Sequence, residues 1–214
     1  MLGELVLVPG HGVCLQPAAA QRDEAWVGIY PGEAACLVEH ARAGVELAAE
    51  RGASLVFSGG QTRREAGPRS EAQSYLELAS ANSWWGHPEV AERCLVEGFA
   101  RDSLENLAFA LDHFHSERGA PPAGLWICGW SFKAERFELH RVALGWTGPY
   151  RYVGVNDPQE GEPLEAARRG ELAKRQALLS DPFLAGAPWQ ALRQARDPFQ
   201  QSEPYRARLD LPNN

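Results

Sequence analysis

The stretch from Ser54 to Tyr75 constrains the fold most, because it places a buried strand, a tight turn and the start of a helix in immediate succession. Leu55-Val56-Phe57 has the bulk of a strand buried on both faces, and Gly59-Gly60 lets the backbone turn sharply or approach a ligand closely. Ser70 can then cap a helix that carries Glu71. The stretch predicts a strand, loop and helix unit with charged groups at one edge of a sheet.

The same order of elements recurs along the chain. Apolar runs at 4–9, 94–98, 125–128 and 150–155 predict further strands, and three-and-four spacing of apolar residues predicts helices between them. Strands that alternate with helices form a parallel, doubly wound sheet whose strand ends meet at one rim. We therefore expect an α/β fold with helices at 33–51, 70–81, 102–118, 132–144 and 162–179.

The composition restricts the classes of partner. With 28 acidic against 21 basic residues the net charge is −7, which argues against a nucleic-acid or anionic membrane surface. The four cysteines are widely spaced and lack a C-x-x-C pair, so we expect reduced thiols and no metal site. No signal peptide and no apolar run of about 18 residues occurs, which predicts a cytoplasmic protein without a membrane span.

Polar residues follow the predicted carboxyl end of each strand, where a parallel sheet brings loops together. The glycines among them suit the close approach of a phosphate-sized group, although they match neither a dinucleotide-binding nor a P-loop motif. The candidates are Gly10 and His11 after the first strand; Ser58, Gly59, Gly60, Gln61, Arg63 and Arg64 after the second; Glu97, Asp102 and Asn106 after the third; and Ser131, Lys133 and Arg136 after the fourth.

Each candidate also has a purely structural interpretation. Asp102 or Ser103 stands where a helix cap stands in any protein, and Gly59-Gly60 alone is an ordinary turn. Lys133 and Arg136 share a helical stripe with His140 that could simply face solvent. No Ser-His-Asp arrangement follows from the spacing.

Several short motifs occur in a characteristic order. Ser58-Gly59-Gly60 is followed by Ser70-Glu71-Ala72, then by Glu97 with a D-S-x-E-N segment that ends at Asn106, and finally by S-F-K-x-x-R from Ser131 to Arg136. Over residues 4–155 this order resembles the SanA/ElyC/YdcF family, long labelled a domain of unknown function. The resemblance implies a Rossmann-like three-layer α/β/α sandwich with a mainly parallel sheet and a polar cleft that contains Glu71, Glu97, Asn106 and Arg136.

The chain departs from the family pattern at three places. Asp102 and Ser103 replace the usual Asn-Thr, a mild change for a helix cap. Lys133 stands where many members have His, which removes a group that titrates near neutral pH, so we interpret Lys133 as a fixed cation that holds an anion. The C-terminal part resembles a longer, soluble subgroup, and we expect residues 1–160 to form the α/β domain and 161–214 a C-terminal helix and wrapped extension of it.

Two main functions are compatible with these residues. The first is an enzyme, a hydrolase or transferase, for a phosphorylated or nucleotide-like molecule, with Glu71 or Glu97 as general base and with Mg²⁺ as a possible cofactor. The second, suggested by the resemblance, is a non-catalytic binding protein for S-adenosylmethionine or a nucleotide. The partner is thus an anionic or adenosyl-type small molecule. A scaffold or interaction domain is a third option, supported by the Trp84-Trp85 pair and by the C-terminal tail from Ser180.

Overall fold

A computed structural model describes residues 3–202 and 204–205. Strands and helices alternate as expected, with two very short strands inserted after the first one. Within the described ranges, no helix has both the length and the apolar character needed to cross a membrane. The bounds are β1 Leu5–Pro9, β2 Val13–Cys14, β3 Trp26–Val27, α1 Ala34–Arg51, β4 Ser54–Ser58, α2 Glu71–Ala81, β5 Cys94–Glu97, α3 Ser103–Arg118, β6 Leu125–Trp130, α4 Ala134–Ala143, β7 Tyr150–Asn156, α5 Glu162–Ser180 and α6 Ala187–Ala195.

The main sheet has five parallel strands in the order β5-β4-β1-β6-β7, so the first strand lies at its centre. Val6 and Val8 pack on one face with α1 and α2, and Leu5 and Leu7 pack on the other with α3 and α4. All four side chains are fully buried, as a central parallel strand requires. The Rossmann-like α/β/α sandwich is therefore confirmed, and every main strand ends at the same rim.

Local capping explains where the helices begin. The Ser70 hydroxyl accepts a hydrogen bond from the Gln73 N–H at 3.0 Å, as predicted for the start of α2. Asp102, and not Ser103, caps α3, because its Oδ1 accepts from the N–H groups of Leu104 and Glu105. Both caps lie at the rim, so α2 and α3 begin with their polar residues beside the strand ends.

The Trp84-Trp85 turn does not form an exposed aromatic surface. Trp84 is buried within the core on the α1 and α2 side, although Ser83, Trp84 and Trp85 all have positive φ angles. Burial of the indole ring holds this turn in a left-handed conformation that non-glycine residues rarely adopt. The support that this pair offered for an interaction domain is therefore lost.

The C-terminal segment packs against the rim. Leu178 of α5 and Leu184 form a small buried cluster with Leu104 of α3. The Arg193 Nε donates to Asp102 Oδ2 at 2.6 Å and lies 3.0 Å from Glu105 Oε1, so an arginine of α6 binds the first turn of α3. Apolar packing and this ion pair hold the segment in place. Residues 203 and 206–214 of the expected tail, including Leu211, lie outside the described ranges.

Arg193→Ala should lower the free energy of unfolding by roughly 1–3 kcal/mol, because it leaves two buried carboxylates with fewer partners. Urea denaturation measures this change, and limited proteolysis should release the segment after Ser180 faster. Arg42→Ala is the control, since Arg42 makes only surface ion pairs with Glu39 and Glu46 and its loss should cost less than about 0.5 kcal/mol. Equal losses in the two variants would show that Arg193 does not hold the segment.

Candidate functional site

A cavity of about 650 Å³ lies at the carboxyl-terminal rim of the sheet. Its size falls within the usual range for small-molecule sites, roughly 300–1,000 Å³. The strand ends and helix starts supply a polar floor, and α5, α6 and the segments beside them supply the opposite wall. Of the predicted site residues, the cavity is lined by Gly10, His11, Arg63, Glu71, Asp102, Asn106, Lys133 and Arg136.

Glu71 is the carboxylate at the floor of the cavity. As the first residue of α2 it is buried, and the Thr62 hydroxyl donates to its Oε1 at 2.5 Å. Burial raises its pKa, against the Thr62 hydrogen bond and the positive charges of nearby Arg63, Arg196 and Lys133. Glu71 can therefore hold or release a proton closer to neutral pH than an ordinary glutamate does.

The glycines after β1 and β4 make room for this carboxylate. A Cβ atom at Gly10 or at Gly59 would lie 2.7 Å from Glu71 Oε2. A Cβ atom at Gly60 would lie 2.9 Å from the Ala100 carbonyl oxygen, so protein atoms fill that space as well. The close backbone approach at these positions is therefore made to protein atoms, and contact of these glycines with a phosphate group stays a prediction.

Lys133, His11 and Glu33 form a chain of polar contacts along one side of the cavity. Lys133 Nζ lies 3.4 Å from His11 Nδ1, and His11 Nε2 lies 3.2 Å from Glu33 Oε2. Burial and the charge of Lys133 lower the pKa of His11 to about 4, so the imidazole is neutral near pH 7. We assign the ring proton to Nε2, because only that tautomer donates to Glu33 and accepts from Lys133.

Glu33 remains ionised in this chain. Burial alone would raise its pKa, but the hydrogen bond from His11, the hydrogen bond from the Tyr30 N–H, which lies 2.9 Å from Oε2, and nearby positive charge together lower it. Lys133 is half-buried, and burial together with the charges of Arg136 and Lys174 lowers its pKa to about 7. A pKa near neutral pH differs from the expected fixed cation, and the role of Lys133 in holding an anion stays a prediction.

Arg136 pairs with neither Glu71 nor Glu97 but with Glu171 of α5. Its Nε lies 3.1 Å from Glu171 Oε1, yet within the described chain neither Nε nor either Glu171 oxygen makes a hydrogen bond. Both side chains are at least nine-tenths buried. Lys174, one turn along α5, also faces Glu171 and Arg136, and burial lowers its pKa. The Glu171 carboxylate thus lies near several basic side chains without forming a well-oriented hydrogen bond to any of them.

Ser103 and His140 form a second polar pair in the cavity wall. The Ser103 Oγ lies 2.8 Å from His140 Nε2, and burial lowers the pKa of His140 to about 3. His140 Nδ1 has no hydrogen-bond partner among the described atoms. The pair resembles the first two members of a nucleophile triad but lacks the acid that would orient the imidazole, so we assign it no catalytic role.

Glu97 lies beneath the cavity and not in its lining, which corrects its proposed place beside Glu71. Its carboxylate accepts from the Ser58 hydroxyl at 2.5 Å and from the Phe99 and Ala100 N–H groups. Asn106 Nδ2 in turn donates to the Ser58 hydroxyl at 2.9 Å and to its carbonyl oxygen. This buried network joins the ends of β4 and β5 to α3, so Glu97 positions the floor and does not reach a ligand.

Four other predicted residues serve packing. Asp102 is engaged in capping α3 and in binding Arg193. Ser131 donates to the Asn156 carbonyl oxygen, Gln61 to that of Pro68, and Arg64 to that of Pro198, which ties a surface loop to the C-terminal segment. None of Gln61, Arg64 and Ser131 lines the cavity.

The sequence patterns missed cavity residues in or beside α1, in the Thr62 loop, in α3 and α4, and in the C-terminal segment. Within the described chain, no group of three or more His, Cys, Asp and Glu side chains is arranged to hold a metal ion. One signal was overlooked: of 21 lysine and arginine residues only Lys133 and Lys174 are lysines. The missed cavity residues are Glu33, His40, Thr62, Ser103, His140, Glu171, Lys174 and Arg196.

Comparison with known proteins adds little about function. No family model matches the chain. The uncharacterized protein YOR238W of Saccharomyces cerevisiae is 24% identical over 206 aligned residues, which cover 73% of this chain and 68% of the yeast protein.

Glu97→Gln should change the pH dependence of stability. Burial raises the pKa of Glu97 to about 7, so the folded chain keeps this proton while the unfolded chain has already lost it. The contribution of Glu97 to the free energy of unfolding should therefore be greatest below about pH 4.5. It should fall by roughly 2–3 kcal/mol as the pH rises to 7.

The measurement is urea denaturation of both proteins at intervals from pH 4 to 8. The difference between wild type and Glu97→Gln should shift in favour of the variant as the pH rises through this window. A constant difference over the whole range would contradict a buried, protonated Glu97.

Proposed function

We propose that this protein is an enzyme of the SanA/ElyC/YdcF type that acts on a phosphorylated or nucleotide-like small molecule in the rim cavity. One observation carries the proposal. The carboxylate of Glu171 faces the guanidinium group of Arg136 and the amines of Lys133 and Lys174, and it makes no hydrogen bond to any of them in the described chain. Uncompensated positive charge in a buried site favours an anionic ligand.

Arg136 and Lys174 are the groups best placed to hold a phosphate. Arg136 keeps its charge at every physiological pH and offers a planar fork of donors, which suits two phosphate oxygens at once. Lys174 has no carboxylate within 4.0 Å among the described residues and supplies a compact charge beside it. Arg196, from the segment after α6, lies in the same wall.

The remainder of the ligand would contact an apolar surface. The wall opposite the strand ends comes from α5, α6 and the turn between them, and it encloses a volume much larger than a phosphate ion requires. A phosphorylated molecule with an aromatic or aliphatic part fits a cavity whose lining combines these cations with apolar side chains. The apolar lining includes Pro163, Ala166, Leu178, Leu184, Trp189 and Leu192.

Glu71 is the candidate general acid or base. It lies in the cavity lining, its burial raises its pKa, and Thr62 fixes one of its oxygens. A carboxyl group tuned towards neutral pH transfers protons more effectively than an ordinary one. S-adenosylmethionine binding remains the second candidate, but the excess of cations disfavours its positive sulfonium group.

Two substitutions should change phosphate affinity in opposite directions. Glu171→Gln removes the carboxylate that competes with the ligand, so the Kd for inorganic phosphate should fall, whereas Lys174→Met removes a donor and should weaken binding by roughly 1–3 kcal/mol. Isothermal titration with inorganic phosphate and pyrophosphate measures both, beside Arg42→Ala as an unaffected surface control. Similar Kd values in all four proteins would remove this cluster from the site.

Glu71→Gln keeps the shape of the side chain and removes its charge. We expect it to reduce turnover of a phosphorylated substrate by at least about a hundredfold, as for a lost general acid or base, while the melting temperature changes little. The substrate is first chosen by thermal shift from a panel of nucleotides, sugar phosphates and S-adenosylmethionine, each with and without Mg²⁺. Equal turnover by both proteins would exclude Glu71 as the proton-transfer group.

A further inference from the structure

The positions of the two lysines are not those of ordinary surface cations. Every other basic residue among the 21 is an arginine, and the chain uses arginine for its surface ion pairs and for the contact of α6 with α3. Both lysines line the rim cavity. Arginine binds phosphate at least as well as lysine, so anion binding alone does not explain this choice. Unlike arginine, lysine has an amine that can lose its proton and react as a nucleophile.

Lys133 has the surroundings of an activated nucleophile. Among the described residues no carboxylate oxygen lies within 4.0 Å of its Nζ, and the group that does contact it is the neutral imidazole of His11, 3.4 Å away. His11 is oriented by Glu33 through its other nitrogen. Nucleophile, base and orienting acid thus follow one another in hydrogen-bond reach, which is the arrangement of a catalytic triad.

We propose that Lys133, His11 and Glu33 form an amine triad in which Lys133 Nζ attacks the carbonyl carbon of a phosphorylated aldehyde or ketone and forms an imine. The amine lone pair makes the new C–N bond, and His11 Nδ1 accepts the proton that the nitrogen loses. Glu33 stabilises the resulting imidazolium ion. The carbonyl oxygen then leaves as water with the two protons that the amine nitrogen gives up: His11 returns the first, and the nitrogen releases the second to solvent as the C=N double bond forms. The carbonyl compound and the amine thus become an imine and one water molecule.

The groups around Lys133 are consistent with a reactive amine. Arg136 of α4 and Lys174 of α5 lower its pKa together with burial, and Glu171 of α5 and Glu33 raise it. A neighbouring cation is a known way to keep a nucleophilic lysine uncharged. The inference rests on the proposed phosphate site, because Arg136 and Lys174 would hold the phosphate and leave Lys133 free to react.

Pyridoxal 5′-phosphate and pyridoxal are a matched pair of probes, since only the first carries a phosphate. Each is incubated with the protein at pH 7, the imine is reduced with sodium borohydride, and the modified lysine is identified by peptide mass spectrometry. The protein carries Arg42→Lys on α1, which adds one ordinary exposed amine as an internal reference. We expect pyridoxal 5′-phosphate to modify Lys133 at least about tenfold faster than the reference amine, and pyridoxal to lose this preference.

Three variants separate the triad from a merely accessible lysine. His11→Asn and Glu33→Gln should each slow imine formation at Lys133 by at least about tenfold, in line with loss of a general base or of the group that orients it. Lys133→Arg should abolish labelling at that position, because a guanidinium group does not form the imine. Phosphate titration of each variant shows in the same samples that the cavity is intact.

The outcomes distinguish the two proposals. If wild type fails to bind inorganic phosphate, the phosphate site is wrong. If phosphate binds but Lys133 reacts no faster than the reference amine, or Lys174 is modified in preference, the amine triad is overturned. Unchanged rates in phosphate-binding His11→Asn and Glu33→Gln proteins overturn it as well.

Discussion

The imbalance of buried charge at the rim of the sheet is the constraint on which the cavity depends. Arg136 keeps its charge, and Glu171, the carboxylate that pairs with it among the described residues, also faces Lys133 and Lys174. Charge that is taken out of water needs a partner or must be neutralised. The lysines can become neutral by releasing a proton, and an anionic ligand would serve as a partner for the remaining positive charge. Burial and this imbalance together account for the lowered lysine pKa values, and the imbalance is the basis of the proposed anion site.

The rest of the fold holds these charges in place. The buried network of Ser58, Glu97 and Asn106 joins two strand ends to α3 beneath the cavity, and Gly10 and Gly59 leave the space into which Glu71 fits. On the other side Glu171 and Lys174 come from α5, and α6 is bound to α3 through Arg193. The C-terminal part of the chain therefore supplies half of the candidate site as well as a cover for it.

The sequence was sufficient for the architecture because each strand and helix carries its own periodicity. The run Leu5–Pro9 is apolar at every position and became the central strand, and Ser70 and Asp102 capped α2 and α3 as their types predict. The site was only half predictable. Residues at strand ends, such as His11 and Glu71, could be expected to meet there, since a parallel sheet brings them to one rim.

Glu33, Glu171 and Lys174 could not be found in this way. They lie within or beside long amphipathic helices, where a charged residue usually faces solvent, and only the packing of α1 and α5 against the rim buries them. The prediction that Glu97 lines the cavity failed for a different reason. Glu97 does lie at a strand end, but its side chain points inward to backbone N–H groups. A pattern locates a residue along an element, whereas the direction of its side chain depends on neighbours distant in sequence.

The most direct test of the central claim is a crystal structure grown with tungstate, a heavy analogue of phosphate, with the anomalous signal used to locate the ion. The account predicts a tungstate ion in the rim cavity, within hydrogen-bond distance of Arg136 and Lys174. Tungstate bound only elsewhere, with a well-ordered and unoccupied rim cavity in the same crystal, would contradict it.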